Sequence, residues 1–219
     1  MDLSTRAVAY LATLKRHSAV PVEQVAEALK RANTSVFESW MEFHERFAGY
    51  EEIIGHDTAV WGIVHAQPRW GLLPHEAWVR SKADDWLVAC ADVYPSYDYN
   101  LNSTGEFISH GGGGLHASFV KRVERAALGR DAASGGRKWR QECELRDRVN
   151  GNLASFVRWS GASVVGEASD KYVTSWRGDD TIIFRNEIIN NKESWRLQIW
   201  VAEDARKRIC AYEPDPAKP

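Results

Sequence analysis

The chain has 219 residues, with 28 Lys and Arg set against 30 Asp and Glu, a formal net charge of −2. Hydrophobic residues make up 44% and charged residues 26%, the balance of a chain that buries a core rather than staying disordered. This composition excludes the global basic field of a nucleic-acid binder, and no run approaches the ~20 apolar residues of a membrane span.

The first fifty residues read as helices. Leu3, Ala7, Leu11 and Leu14 fall on one face, and Val22, Val25, Ala26 and Leu29 on another, with Pro21 at a helix start. A third helix is marked by Ser35 and Glu38 at capping-box spacing. Phe37, Trp40, Met41, His44 and Phe47 follow at helical spacing, and Gly49 is placed to end it. Strand character begins at Glu52-Ile53-Ile54 and is clear over Ala59–Val64. A loop rich in Pro, Gly and Trp spans Gln67 to Pro74. A strand is predicted over Trp86–Val93, apolar on both faces until Asp92. A hairpin over Tyr97–Ser109 turns at Asn102-Ser103-Thr104-Gly105, and the glycines Gly111–Gly114 then connect it to a helix over His116–Leu128.

Gly129 to Gly136 reads as a linker. Beyond it a long helix is predicted, with Trp139, Cys143, Val149, Leu153, Phe156 and Val157 on one stripe. Four strands close the chain: Ser163–Ala168, Lys171–Trp176, Thr181–Ile188 and Ser194–Ala202. The element order predicts an α+β fold, with N-terminal helices on a mixed, largely antiparallel sheet and a C-terminal helix plus antiparallel meander. The expected domains are 1–130 and 137–212, with a frayed tail over 213–219.

Ten tryptophans carry two readings, core rings or interface anchors. Cys90, Cys143 and Cys210 form no CxxC pair and no even disulfide framework; Cys90 and Cys143 sit in apolar patterns and are expected to be buried thiols. Met1 to Arg6 is not a signal peptide, because the apolar run after it is soon broken by Lys15-Arg16-His17. A reduced, cytoplasmic protein is expected.

His110 followed by Gly111–Gly114 is the one enzyme-like string, similar to an oxyanion loop in which backbone N–H groups converge. A hydrolase would also need a GxSxG elbow, which the sequence lacks; Ser160 to Gly166 has the wrong spacing. GxGxxG and GxxxxGK[ST] are absent, and His44-Glu45 and His75-Glu76 lack the second histidine of a helical zinc pair. No catalytic residue, metal or cofactor is therefore assigned. Charge is uneven: Phe37 to Val60 carries six acids against Arg46, and Val120 to Arg148 nine bases against five acids. The acidic stretch is a solvated face or a surface for a basic protein partner.

Ser35-Val36-Phe37-Glu38-Ser39-Trp40-Met41-Glu42-Phe43-His44-Glu45-Arg46-Phe47-Ala48-Gly49 resembles the early aromatic-rich helix of the SUKH superfamily. Trp86-Leu87-Val88-Ala89, Tyr99-Asn100-Leu101, Gly105-Glu106-Phe107-Ile108 and Ala117-Ser118-Phe119, with Val120 and Val123 beneath, extend the likeness over about residues 35–128. The resemblance implies an α+β domain and, for many members, a bacterial immunity protein that binds a secreted toxin and blocks its catalytic face. It implies a protein partner, with residues 137–219 widening the binding surface. On that reading the candidate partner-binding residues are Glu51, Glu52, Asp57, Asp84, Asp85 and Asp98 for charge, with Trp70 and Tyr97 as anchors. The alternatives are a hydrolase or small-ligand-binding enzyme that uses the His110 loop, and a regulatory scaffold without a toxin partner.

Overall fold

The computed structural model describes residues 2–54, 56–70, 72–82, 85–94, 98–109, 114–134, 136–149, 151–188 and 191–214. Helices and antiparallel sheets make it an α+β protein, and every strand pairing described is antiparallel. The chain forms two compact units, residues 11–119 and residues 1–10 with 120–219. The linker expected at 129–136 falls largely inside a helix. No helix among the described residues is long and apolar enough to cross a membrane.

The unit of residues 11–119 takes in the end of α1 (Thr5–Ala12), then β1 (Lys15–Arg16), α2 (Val22–Arg31) and α3 (Glu38–Phe47). Strands β2 (Tyr50–Ile54), β3 (Asp57–Trp61), β4 (Val79–Lys82), β5 (Asp85–Ala89), β6 (Ala91–Asp92), β7 (Tyr99–Asn102), β8 (Phe107–Ser109) and β9 (Gly114–His116) follow. They build two sheets, ordered β1-β2-β3-β6 and β4-β5-β7-β8-β9. The single strand expected over Trp86–Val93 is divided at Cys90, which leaves its two parts in different sheets. That break explains its two apolar faces, since Leu87 through Val93 are all buried.

Of the predicted stripe of α3, Trp40, His44 and Phe47 are buried, together with Phe43, while Phe37 and Met41 are half-buried. Ser35 does not cap the helix; Phe37 holds the cap position and no side chain bonds there. Phe119 is the hub of the core. Its ring meets Phe43 at 4.6 Å, Trp61 at 5.0 Å, Phe47 at 5.2 Å and Phe107 at 5.5 Å. Gly49, at φ +88°, follows α3 where no other residue fits, because a Cβ would lie 2.2 Å from the His17 carbonyl oxygen. Its N–H donates to Trp61 and its carbonyl accepts from His17, both at 2.8 Å, which joins β1 to β3 across the turn.

The hairpin turn at residues 102–105 forms as predicted. Gly105, at φ +85°, lets the turn approach α3, where an added Cβ would meet Ser39 Cβ at 2.9 Å. Beyond the glycines the chain enters β9, which pairs Gly114 with Ser109, instead of the expected helix. The helix α4 (Phe119–Ser134) begins three residues later than predicted and continues past Gly129. One glycine costs a helix only about 1 kcal/mol, and Ala126, Ala127, Ala132 and Ala133 favour continuation.

In the other unit the predicted long helix does not exist. Trp139 lies in a strand, β10 (Trp139–Gln141), and the remainder divides into α5 (Cys143–Val149) and α6 (Leu153–Trp159). Gly151 and Asn152 are poor helix formers and mark the break. Strands β11 (Ser163–Val164), β12 (Val173–Arg177), β13 (Thr181–Ile188) and β14 (Asn191–Ala202) complete the meander in the order β10-β14-β13-β12-β11. A short turn of helix (Glu203–Ala205) and α7 (Arg206–Cys210) end the fold. One face of this sheet presents Ile183, Leu197, Ile199 and Val201 to Leu145, Val149, Phe156 and Ile209. The other presents Ile182 and Phe184 to Leu128 of α4. Cys90 is buried as expected, whereas Cys143 is exposed because α5 starts there and turns its buried stripe, Leu145 and Val149, elsewhere.

Candidate functional site

The β1-β2-β3-β6 sheet carries a polar row. Lys15, Glu51, Val60 and Asp92 are direct partners across four strands and share one face. Two residues further along, Ile53 and Thr58 pair on the same face, and Ile53 is 74% exposed. The segment from Gly62 to Trp70 covers this row and leaves a cleft of about 350 Å3, lined by His17, Val20, Trp61, His65, Arg69 and Asp92.

Asp92 fixes that segment. It is 2% exposed, and its two carboxylate oxygens accept the backbone N–H groups of Arg69 at 2.6 Å and Trp70 at 3.0 Å. A buried carboxylate needs such partners, and here they position the loop. Arg69 then extends over the sheet, 3.3 Å from Thr58 Oγ1 and 3.9 Å from Glu51 Oε1. Trp70 meets Tyr94 edge to face at 5.1 Å, and Tyr94 is 42% exposed. Glu51 pairs closely with His17 and lies 3.8 Å from Lys15. The His17 hydrogen bond holds its carboxyl below the usual range, against the opposing effect of burial.

Two histidines stiffen the floor. His44 accepts the Ile63 N–H at Nδ1 (3.1 Å) and donates from Nε2 to the Val20 carbonyl (2.9 Å), a pattern that only the neutral ring can make. Burial depresses its pKa. His65 donates to the Gly62 carbonyl at 3.0 Å, and burial depresses its pKa as well, opposed by the nearby Asp92.

Of the predicted partner-binding residues, Glu51 and Trp70 come together around Arg69. Glu52 points to the opposite face of β2, where it accepts from Trp61 Nε1 at 3.3 Å, and Asp57 shares that face at the start of β3. Asp85 belongs to the other sheet, and Asp98 immediately precedes β7 of that sheet. Burial raises the Asp85 carboxyl, but hydrogen bonds from Ser103 and Trp86 outweigh it and leave the pKa lowered. That contact makes Asp85 a brace for the 102–105 turn. Asp98 accepts from Arg80 at 2.9 Å and from Asn100. Asp84, Tyr97, His110 and Gly111–Gly113 lie outside the described residues.

Sequence reasoning did not single out Asp92, Arg69, Tyr94, His17 or His65. The available signal was Asp92 itself, a carboxylate closing an otherwise apolar strand. No protein-family model, curated protein or solved structure matches the chain. Among the described residues no group of His, Cys, Asp and Glu is arranged to hold a metal ion.

Proposed function

We propose that this chain is a non-catalytic, protein-binding inhibitor, an immunity protein that acts in the cytoplasm by covering the catalytic face of a cognate bacterial toxin. The observation that supports it is the latch at Asp92, which holds Arg69 and Trp70 in place and sets the Trp70–Tyr94 pair beside the exposed Ile53 face. Tight inhibitors bind through a few aromatic and arginine anchors ordered before the partner arrives, so that little conformational entropy is lost on docking. The likeness of residues 35–128 to the SUKH superfamily points the same way. Glu51, tied to His17 and facing Arg69, adds a fixed charge to the same surface.

The test is co-expression with the C-terminal toxin domain of a large secreted protein encoded beside this gene. The full chain is expected to restore growth and co-purify with the domain. Trp70→Ala and Tyr94→Ala should each weaken binding by at least about tenfold, the usual loss at a buried aromatic anchor. Val164→Ala, an exposed position in the other unit, should change nothing. His110→Ala separates this reading from an enzyme: an inhibitor keeps its protection, whereas an oxyanion-loop hydrolase loses its activity. Absence of binding and of growth rescue would refute the proposal.

A further inference from the structure

The stretch that reads as acidic in the sequence presents the opposite sign on the sheet face covered by the Gly62–Trp70 segment. Alternation along β2 and β3 sends Glu52 and Asp57 to the other face, so that of these three acids only Glu51 remains on this one. Three bases gather around it: His17 in a close hydrogen bond, Lys15 at 3.8 Å and Arg69 at 3.9 Å. The acid is the inner member of the group. Its side chain is 18% exposed, against 69% for Lys15 and 48% for Arg69. Asp92, the other carboxylate of the row, is buried with both oxygens on backbone N–H groups. Among the described residues of this row, the charges turned to solvent are therefore the positive ones.

Arg69 is placed to use its charge on a partner. Its backbone N–H is held by Asp92, so the residue is fixed before anything docks. Within its guanidinium only Nη1 has a hydrogen-bond partner among the described residues, the Thr58 hydroxyl at 3.3 Å; the 3.9 Å approach to Glu51 is too long for a hydrogen bond. Nε and Nη2 keep their donors, enough for a carboxylate to accept two parallel bonds. Arg69 also lines the cleft of about 350 Å3, a volume at the low end of the about 300–1,000 Å3 of ligand sites.

We propose that this cleft is a carboxylate site, filled by an Asp or Glu side chain of the bound protein, so that the partner's contact surface is acidic rather than basic. Arg69 forms the fork and Lys15 adds attraction on approach. The proposal rests on the docking role given above to Trp70 and Tyr94. Trp70 is held by the same Asp92 carboxylate one residue further on, and its ring pair with Tyr94 supplies apolar contact beside the ion pair. The exposed Ile53 on this face adds to it. A free ion has no use for that apolar surround, whereas a protein surface does.

Two measurements on the full chain test this. In the first, 15N spectra follow the Arg69 Nε–H and Trp70 amide signals during titration with N-acetyl-glutamate methylamide, or with its glutamine analogue, at fixed ionic strength. The glutamate probe should shift both signals saturably and the glutamine probe should not; in Arg69→Gln the Trp70 response should disappear. In the second, binding of the neighbouring toxin domain is compared between variants. Arg69→Glu should weaken it by about tenfold or more, and Lys15→Glu by about two- to fivefold, chiefly in the association rate. Substitution at 69 leaves the latch in place, because Asp92 holds the backbone N–H of that residue and not its side chain. The proposal is overturned if the glutamate probe shifts the two signals no more than the glutamine probe, or if Arg69→Glu binds the toxin as tightly as the parent chain or more tightly. The two readings fail separately. Toxin binding that is lost in Trp70→Ala but unchanged in Arg69→Glu removes the carboxylate site and keeps the inhibitor. A saturable glutamate response in a chain that binds no toxin removes the inhibitor and leaves the carboxylate site standing.

Discussion

The two units bury their cores with different chemistry. Residues 11–119 centre on aromatic rings around Phe119, with Trp40 and Trp61 fully buried. The other unit layers Ile183, Leu197, Ile199 and Val201 of a regular antiparallel sheet against three short helices. Large rings pack between irregular segments, and those segments expose backbone N–H and C=O groups that need partners. Asp92, His44 and the Trp40 indole, which donates to the Asn102 carbonyl at 2.6 Å, provide them. The regular sheet satisfies its own backbone groups, and several of the unit's ion pairs lie near the surface. Arg137 bridges Asp180 and Asp204 there, and Arg208 shares Asp180. Buried polar groups in one unit fix loops, and ion pairs in the other clamp the ends of elements.

The largest test of this contrast is a pair of core truncations. Trp61→Ala should cost about 3–5 kcal/mol and Ile199→Ala about 2–5 kcal/mol. Amide hydrogen exchange should rise within 11–119 for the first and within 120–219 for the second. If either substitution loosens both units equally, the division into two cores is wrong.

Next in size is Asp92→Ala, which leaves two backbone N–H groups without an acceptor and should cost about 1.5–3 kcal/mol. Exchange at the Arg69 and Trp70 amides is the sensitive measurement. It should accelerate strongly while β13 and β14 stay protected. Under the inhibitor role proposed above, the same variant should also weaken partner binding without altering any anchor side chain. Unchanged exchange at those two amides would mean that Asp92 does not hold the loop.

The elements that were legible in the sequence are those whose pattern lies in one contiguous stretch. α3, the 99–109 hairpin, and the alternation of Leu197, Ile199 and Val201 on β14 are examples. The stripe from Trp139 to Val157 misled, because a strand and two helices can each turn a residue inward and imitate one helical period. The candidate site was less legible for a related reason. Asp92 and its partners Arg69 and Trp70 are more than twenty residues apart, and no local spacing predicts which backbone groups a buried carboxylate will meet. Glu51 was legible as charge, but its partners His17 and Arg69 come from loops on either side of it in sequence.

The smallest effect concerns pH. His44 is neutral in the folded state because Nδ1 must accept from Ile63 while Nε2 donates to Val20; a proton on Nδ1 would set donor against donor. Burial holds its pKa below the ordinary histidine value, and His65, beside it across Gly62, is depressed in the same way. Below about pH 6.5 the unfolded chain takes up protons that the folded chain refuses, so stability falls as pH drops, by at most about 1.4 kcal/mol per pH unit for each such histidine. Glu51 acts in a lower window: its lowered pKa contributes stability above about 4.5, lost as the pH falls through the folded value. Between pH 5 and 6.5 the slope therefore belongs to the histidines. In His44→Asn, denaturant midpoints measured across that range should follow a shallower slope than in the parent chain. The unit of residues 120–219 contains no histidine, so a slope unchanged in His44→Asn, or one reported by probes in β13 and β14, would break the contrast between the two cores.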